Sequence, residues 1–169
     1  TLTSNKYSAP VEINSTGLLK ASTMQNGRIM GVQAARQSFA MHKGIGKNVI
    51  YANPVSRYYM ADGSNSLTDG VRGTGTVGKF WHGFSGKDLI ATIDLGEAKN
   101  IQSLALGCLQ NYNDWIFLPQ SVKFETSVNG TDFEEVQTVN NLISINEKNA
   151  KFDFKTSFPA KTVKFIRVT

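Results

Sequence analysis

The chain has little cysteine and no long apolar run. Cys108 is its single cysteine among 169 residues, so no intramolecular disulfide can form. Because it lies close to Leu106 and Leu109, we expect it to be a small apolar core residue. No run approaches the roughly 20 apolar residues that a membrane-spanning helix needs. The sequence therefore predicts neither a disulfide-stapled scaffold nor insertion into a membrane.

Concentrated charge and recognisable catalytic motifs are also absent. The 18 basic and 13 acidic residues leave a net charge of +5, but Lys and Arg are spread along the chain, which argues against nucleic-acid binding. His42 and His82 lie far apart in sequence, and no cysteine or carboxylate cluster has metal-ligand spacing. Gly44 and Gly46 do not fit a phosphate-binding loop. We therefore predict that this chain is not itself an enzyme.

Alternating apolar residues predict strands. Residues 89–95 place apolar side chains at every second position, and we expect Gly96 to end this strand. Residues 122–128 alternate in the same way and are followed by Asn129-Gly130, a two-residue hairpin signal. Residues 151–158 and 162–169 predict two further strands. Several short strands with turns between them indicate an all-β protein, an antiparallel β-sandwich.

The first 48 residues have a different character. Residues 11–13, 18–23 and 29–41 are expected to be strands, with Asn26-Gly27 as the turn before the last of them. A helix is the competing interpretation for residues 32–41, because they contain good helix formers. Residues 42–48 have the composition of a connection between modules, and a short apolar strand follows at residues 49–52.

These motifs resemble a known family. The order LTDG (67–70), Trp81, ATIDLG (91–96) and SVNGTDF (127–133) resembles the coagulation factor V/VIII type C domain, also called discoidin-like. The stretches WHGFSGKDL and LQNYNDWIFLP are similar to the version at the C-terminus of chitobiase-like bacterial β-N-acetylhexosaminidases. The resemblance implies a discoidin-like jelly roll over residues 49–169, a linker over 44–48 and part of an immunoglobulin-like β module over 1–43. That module would lack its first strands, and its open edges would favour self-association.

The resemblance also implies a function. It predicts a non-catalytic carbohydrate-binding module that targets a β-N-acetylhexosaminidase-type glycoside hydrolase to glycan, with N-acetylhexosamine or galactose among the sugars. The catalytic domain would be absent from this chain. The parent protein would be exported, to the periplasm, the cell surface or the medium. The alternative is a structural spacer or dimerisation module without a ligand.

Candidate sugar-binding residues combine flat aromatic rings with polar groups, the mixture that a saccharide site needs. In the family this site lies on loops at one end of the sandwich. Trp81 and Trp115 are expected in the core more than at a ligand, whereas Tyr112 and His82 are expected to be exposed. The candidates are Arg72, Lys79, Trp81, His82, Asn111, Tyr112, Asn113 and Trp115.

A structural calcium ion is the one cofactor that the resemblance implies. Calcium takes six to eight oxygen ligands, many of them carbonyls. The family's ligands fall on the Leu67 carbonyl, the Asp69 carboxylate and the hydroxyl of Thr74 or Thr76. The alternative is a tight turn in which Asp69 accepts local backbone hydrogen bonds.

Overall fold

The protein is an all-β chain of antiparallel strands arranged in two sheets, which confirms the predicted fold class. The computed structural model describes residues 4–169, and for Val32 the backbone alone. Residues 1–3 of the predicted N-terminal module lie outside the described residues. The strands are β1 (Gly17–Gln25), β2 (Arg28–Phe39), β3 (Val49–Tyr51), β4 (Val71–Arg72), β5 (Ala91–Asn111), β6 (Ser121–Ser127), β7 (Glu134–Asn140) and β8 (Asn149–Val168).

The larger sheet has five strands in the order β3-β5-β8-β6-β7 and carries the core. Its long central pair, β5 and β8, is antiparallel, with Ala91 opposite Val168 at one end and Asn111 opposite Asn149 at the other. The side chains of Leu95, Phe124 and Phe154 are completely buried. Burying each of these side chains contributes about 1.5–3 kcal/mol. This sheet is the frame from which the loops project.

The smaller sheet has the order β1-β2-β4. Asn26 and Gly27 both have left-handed φ angles, 50° and 75°, as a tight primed turn requires. The hairpin meets β4 through two pairs, Ser38 with Arg72 and Phe39 with Val71. The strand prediction for residues 29–41 is therefore confirmed over β2, and the helix alternative is wrong.

Two of the predicted strands need correction. Residues 11–13 are irregular, because an extended segment becomes a strand only where a neighbour pairs with its backbone. Gly96 does not end β5, which continues to Asn111. Gly96 has φ +81° and lies within a register shift between Asp94 and Lys99, so the irregularity interrupts the pairing without ending the strand.

The C-terminal half needs two similar corrections. Residues 151–158 and 162–169 form one strand, β8, whose register against β5 shifts between Ile101 and Ser103. Asn129-Gly130 is not a two-residue turn, because β6 ends at Ser127 and β7 begins at Glu134. The Asn129 side-chain oxygen accepts hydrogen bonds from the backbone of residues 131 and 132, at 3.0 and 2.9 Å. These bonds stabilise a longer loop.

Candidate functional site: an exposed aromatic loop

A short loop closes the end of β5. Asn111 and Ile116 exchange two backbone hydrogen bonds, of 2.9 and 3.1 Å, around a 3-10 turn at Tyr112–Asp114. The Asn111 side-chain amide donates to the Asp114 carboxylate at 2.6 Å. Asn111, one of the predicted ligand-binding residues, thus holds the loop in shape.

Trp115 is the most exposed aromatic residue of this loop. Its side chain is 84% exposed, so the prediction that it belongs to the core is wrong. The backbone explains the difference, because Trp115 adopts the left-handed conformation, with φ 57° and ψ 35°, as the chain reverses to pair Ile116 with Asn111. A left-handed non-glycine residue costs roughly 1–2 kcal/mol.

Two further aromatic rings accompany Trp115. Tyr112 is 47% exposed and Phe117 is 40% exposed, and their ring centroids lie 6.0 Å apart at an interplanar angle of 86°. The exposure predicted for Tyr112 is confirmed. With Asn113, these three residues line a cavity of about 230 Å³. Phe117 was missed from sequence, although its place close to Trp115 in the aromatic-rich stretch NYNDWIF was an available signal.

Trp81 and Arg72 form a second part of the candidate site. The indole of Trp81 is half-buried and donates a hydrogen bond to the Thr74 carbonyl at 3.2 Å. It lies so close to the backbone of Gly73 that a Cβ there would come within 2.4 Å of the ring. Arg72 forms an ion pair with Asp153. Trp81 therefore holds the loop that follows β4.

His82 and Lys79 have other surroundings. His82 is half-buried rather than exposed. Its ring nitrogens lie 2.8 Å from the Tyr51 hydroxyl and 3.0 Å from the Gly63 carbonyl oxygen, so both nitrogens are within hydrogen-bond distance of partners. Burial raises the pKa of Tyr51 well above its ordinary value. The Lys79 ammonium lies 5.7 Å from the centroid of the Phe80 ring, and Lys79 is exposed.

The structure brings several of the predicted residues to one cavity of about 1380 Å³, which extends between the five-stranded sheet and residues 56–89. Its lining includes Arg72, Trp81, His82 and Trp115. Tyr112 lines the smaller cavity, which shares Trp115 with the larger one. Lys79 and Asn111 line neither of these two cavities. Trp115 is thus the predicted residue common to both.

Three titratable groups near this cavity have shifted pKa values. Burial, with a smaller contribution from the Asp153 charge, raises the pKa of the Cys108 thiol to about 12, so the thiolate nucleophile is scarce at neutral pH. Burial acts to raise the pKa of Asp153, but hydrogen bonds from Arg72 and Lys155 outweigh it and hold that pKa below its ordinary value. Burial lowers the pKa of His42.

The predicted calcium loop shows the hydrogen bonds of a tight turn. The Asp69 carboxylate accepts from the Val71 backbone at 2.7 Å, and the Thr74 and Thr76 hydroxyls lie 2.9 Å apart. Residues 4–169 contain no group of three or more His, Cys, Asp or Glu side chains that could hold a metal. The loop offers calcium one carboxylate among hydroxyls and carbonyls, and the site with Leu67, Asp69 and Thr74 stays a prediction.

Comparison with known families gives one clear match. A family model described as the F5/8 type C domain matches residues 52–169, which is most of the chain and includes the aromatic loop. No curated protein matches the chain.

Solved structures show weaker similarity. The structure of SpGH29 has a TM-score of 0.49 at 17% identity, covering 75% of this chain and 23% of that one. CpGH89CBM32-4 from Clostridium perfringens, in complex with GlcNAc-α-1,4-galactose, has a TM-score of 0.45 at 18% identity, covering 76% and 77%. The CBM32 of AlyQ, in complex with 4,5-unsaturated mannuronic acid, has a TM-score of 0.45 at 17% identity, covering 73% and 83%.

Proposed function

Because the chain belongs to the F5/8 type C domain family, we propose that it is a non-catalytic carbohydrate-binding module. The observation that carries the proposal is the loop of residues 112–117, which holds Trp115 84% exposed beside the half-exposed rings of Tyr112 and Phe117. Flat aromatic surfaces with a few polar groups suit the apolar face of a pyranose ring and its hydroxyls.

The conformation of Trp115 supports this role. Its left-handed backbone is energetically costly, and its exposed ring recovers little of that cost by burial in the core. Backbone strain of this kind clusters at binding and catalytic sites, where the surrounding structure maintains it. We assign stacking on the sugar to Trp115 and Tyr112 and hydrogen bonding to the Asn113 amide, while Arg72, Trp81 and His82 face the same ligand from the larger cavity.

The finer proposal concerns the parent protein and the sugar. The similarity of WHGFSGKDL and LQNYNDWIFLP to chitobiase-like sequences supports a β-N-acetylhexosaminidase-type glycoside hydrolase as the parent, N-acetylhexosamine or galactose as the ligand, and export from a bacterial cell. None of the described residues forms a helix with the length and hydropathy needed to span a bilayer.

Isothermal titration with N-acetylglucosamine, galactose and chitooligosaccharides tests the proposal. Trp115→Ala and Tyr112→Ala are each expected to weaken binding about tenfold or more, the loss of roughly 1.4 kcal/mol of stacking. Tyr7→Ala is the matched control, because Tyr7 is 74% exposed and lies outside the loop. Absence of binding across the panel, with the protein folded, would overturn the proposal.

A structural spacer or dimerisation module is the second candidate. The hairpin of β1 and β2, which we assign to a partial immunoglobulin-like module over residues 1–43 with a linker at 44–48, exposes several large apolar side chains. These are Leu18, Leu19, Met24, Ile29 and Met30, each 40–53% exposed. Exposed apolar strands with an open edge favour association. Light scattering across a concentration series tests this, and Leu19→Lys is expected to shift the protein towards monomer.

We also propose a structural calcium ion on the Leu67 carbonyl, Asp69 and Thr74. A ligand at about 100 times its dissociation constant stabilises the folded state by roughly 2.7 kcal/mol. Calcium is therefore expected to raise the melting temperature of the wild type and to leave that of Asp69→Asn unchanged. Equal melting temperatures of the wild type in calcium and in chelator would assign the loop to the tight-turn alternative.

A further inference from the structure

A row of cations lies along one face of β8. Lys151, Asp153 and Lys155 alternate along the strand, so their side chains share a face. Arg72 forms an ion pair with Asp153, the Lys155 ammonium lies 3.2 Å from the same carboxylate, and the Lys151 ammonium donates to the Gly73 carbonyl at 3.2 Å. Arg72 and Lys155 thus contact the Asp153 carboxylate, and Lys151 lies two positions away on the same face. Together the four side chains carry an excess of two positive charges.

This row is open to solvent. The side chain of Lys155 is 66% exposed, that of Arg72 is 31% exposed and that of Asp153 is 21% exposed. Lys151 is also exposed. Asp153 accepts from both Arg72 and Lys155, so it fixes their positions while neutralising one charge. An anion that enters here meets oriented donors and does not have to order them.

The row lies next to the aromatic loop. Lys151 is opposite Leu109 on β5, two positions before Asn111, and the Tyr112 backbone donates to the Lys148 carbonyl at 2.9 Å. With a rise of about 3.3 Å per strand residue, the backbone of Lys151 is about 10 Å from that of Lys148. Arg72, Lys155 and Trp115 also line the same larger cavity.

We propose that Arg72, Lys151 and Lys155 bind the carboxylate of an acidic saccharide whose neighbouring ring stacks on Tyr112 and Trp115. The inference rests on the proposed carbohydrate binding and specifies its ligand as a glycan that contains a uronic acid. A guanidinium offers paired donors that match a carboxylate. A neutral sugar carries no negative charge to pair with the two uncompensated positive charges, so water would have to continue to solvate them.

Titration with two trisaccharides tests this inference, with trigalacturonic acid as the acidic probe and N-acetylchitotriose as the neutral one. The acidic probe is expected to bind more tightly than the neutral one. Its affinity is expected to fall as salt is added, because salt screens exposed charges. Lys151→Gln/Lys155→Gln is expected to weaken binding of the acidic probe about tenfold, because charge-assisted hydrogen bonds are lost. Binding of the neutral probe is expected to change less than about twofold.

Lys6→Gln/Lys20→Gln is the matched control, because it removes the same charge from exposed positions outside the row. It is expected to leave both affinities unchanged. Circular dichroism establishes that each variant is folded, and Lys155→Gln alone provides a milder variant that keeps the Lys151 contact with Gly73. Inorganic tripolyphosphate serves as an anion without a sugar ring.

The outcomes separate this inference from the proposed function. Neutral binding that depends on Trp115, with no preference for the acidic probe, would overturn the inference and leave carbohydrate binding intact. A second outcome would also overturn the inference. The acidic probe would bind equally well after Trp115→Ala and tripolyphosphate would bind with similar affinity, which would mean that the row attracts any anion. Failure of both trisaccharides to bind would overturn the inference. The proposed function would fall with it only if galactose and N-acetylglucosamine also failed to bind the folded protein.

Discussion

Trp115 combines two energetic costs that the fold does not recover. Its backbone is left-handed, and its large apolar ring is 84% exposed. A residue that served stability would be expected to avoid both. At the scale of single residues, the proposed function explains Trp115 because a bound sugar ring would cover the indole.

Replacement of Trp115 by glycine separates stability from binding. Glycine adopts left-handed angles without steric cost, so Trp115→Gly is expected to raise the free energy of unfolding by about 0.5–1 kcal/mol while it abolishes stacking. Urea denaturation measures the first effect and titration the second. Trp115→Ala keeps the backbone cost and is the control. A stability loss in both variants would indicate that the indole supports the fold.

Glu125 gives the fold a dependence on pH. Arg167 donates two hydrogen bonds of 2.8 Å to its carboxylate, and these bonds lower the pKa of Glu125 below its ordinary value of 4.5, although burial opposes them. A lowered folded-state pKa contributes stability above the unfolded pKa and loses it as pH falls through the folded pKa. The free energy of unfolding is therefore expected to fall below about pH 4.5, and Glu125→Gln is expected to flatten this acid limb.

The pair of Glu134 and Lys161 is the control for this pH dependence. Its atoms lie 3.3 Å apart, but the Glu134 side chain is 79% exposed and that of Lys161 is 44% exposed. Exposed pairs contribute little because water screens them. Glu134→Gln is expected to retain the acid limb of the wild type, and an equal flattening in both variants would contradict the role given to Glu125.

At the scale of elements, alternation predicted the faces that point to the core but not what covers the opposite faces. Phe124 is completely buried, as its pattern indicates, yet Glu125 beside it is also buried. Glu125 lies opposite Arg167 on β8, which is far away in sequence. The period of a single strand carries no information about such a partner. For the same reason the sequence did not show that β5 and β8 stay paired on both sides of their register shifts.

The loop after β4 depends on a close approach between Trp81 and Gly73. A Cβ at residue 73 would lie 2.4 Å from the indole, so Gly73→Ala is expected to displace the ring and cost about 1–3 kcal/mol. Gly75→Ala is the matched control, because a Cβ at residue 75 meets nothing within 4 Å. Thermal unfolding compares the two variants, and equal melting temperatures would show that the approach is not required.

At the scale of the whole molecule, the family and the all-β architecture were accessible from sequence because their motifs are spread along the chain. The sequence also indicated Tyr112 as an exposed aromatic residue. It did not reveal the exposure of Trp115, which depends on the backbone reversal that pairs Asn111 with Ile116. Whether a tryptophan faces the core or the solvent is decided by such turns, and residue type alone favours burial.

The two tryptophans allow a direct test of whether the aromatic loop binds sugar. In a nitrogen–proton correlation spectrum each indole N–H gives one signal. The indole N–H of Trp81 already donates a hydrogen bond to the Thr74 carbonyl. Addition of a binding saccharide is expected to shift both indole signals, and to shift that of the exposed Trp115 more than that of Trp81, which stays hydrogen-bonded to the Thr74 carbonyl. Saturable binding that leaves the Trp115 signal in place would contradict sugar binding by the aromatic loop.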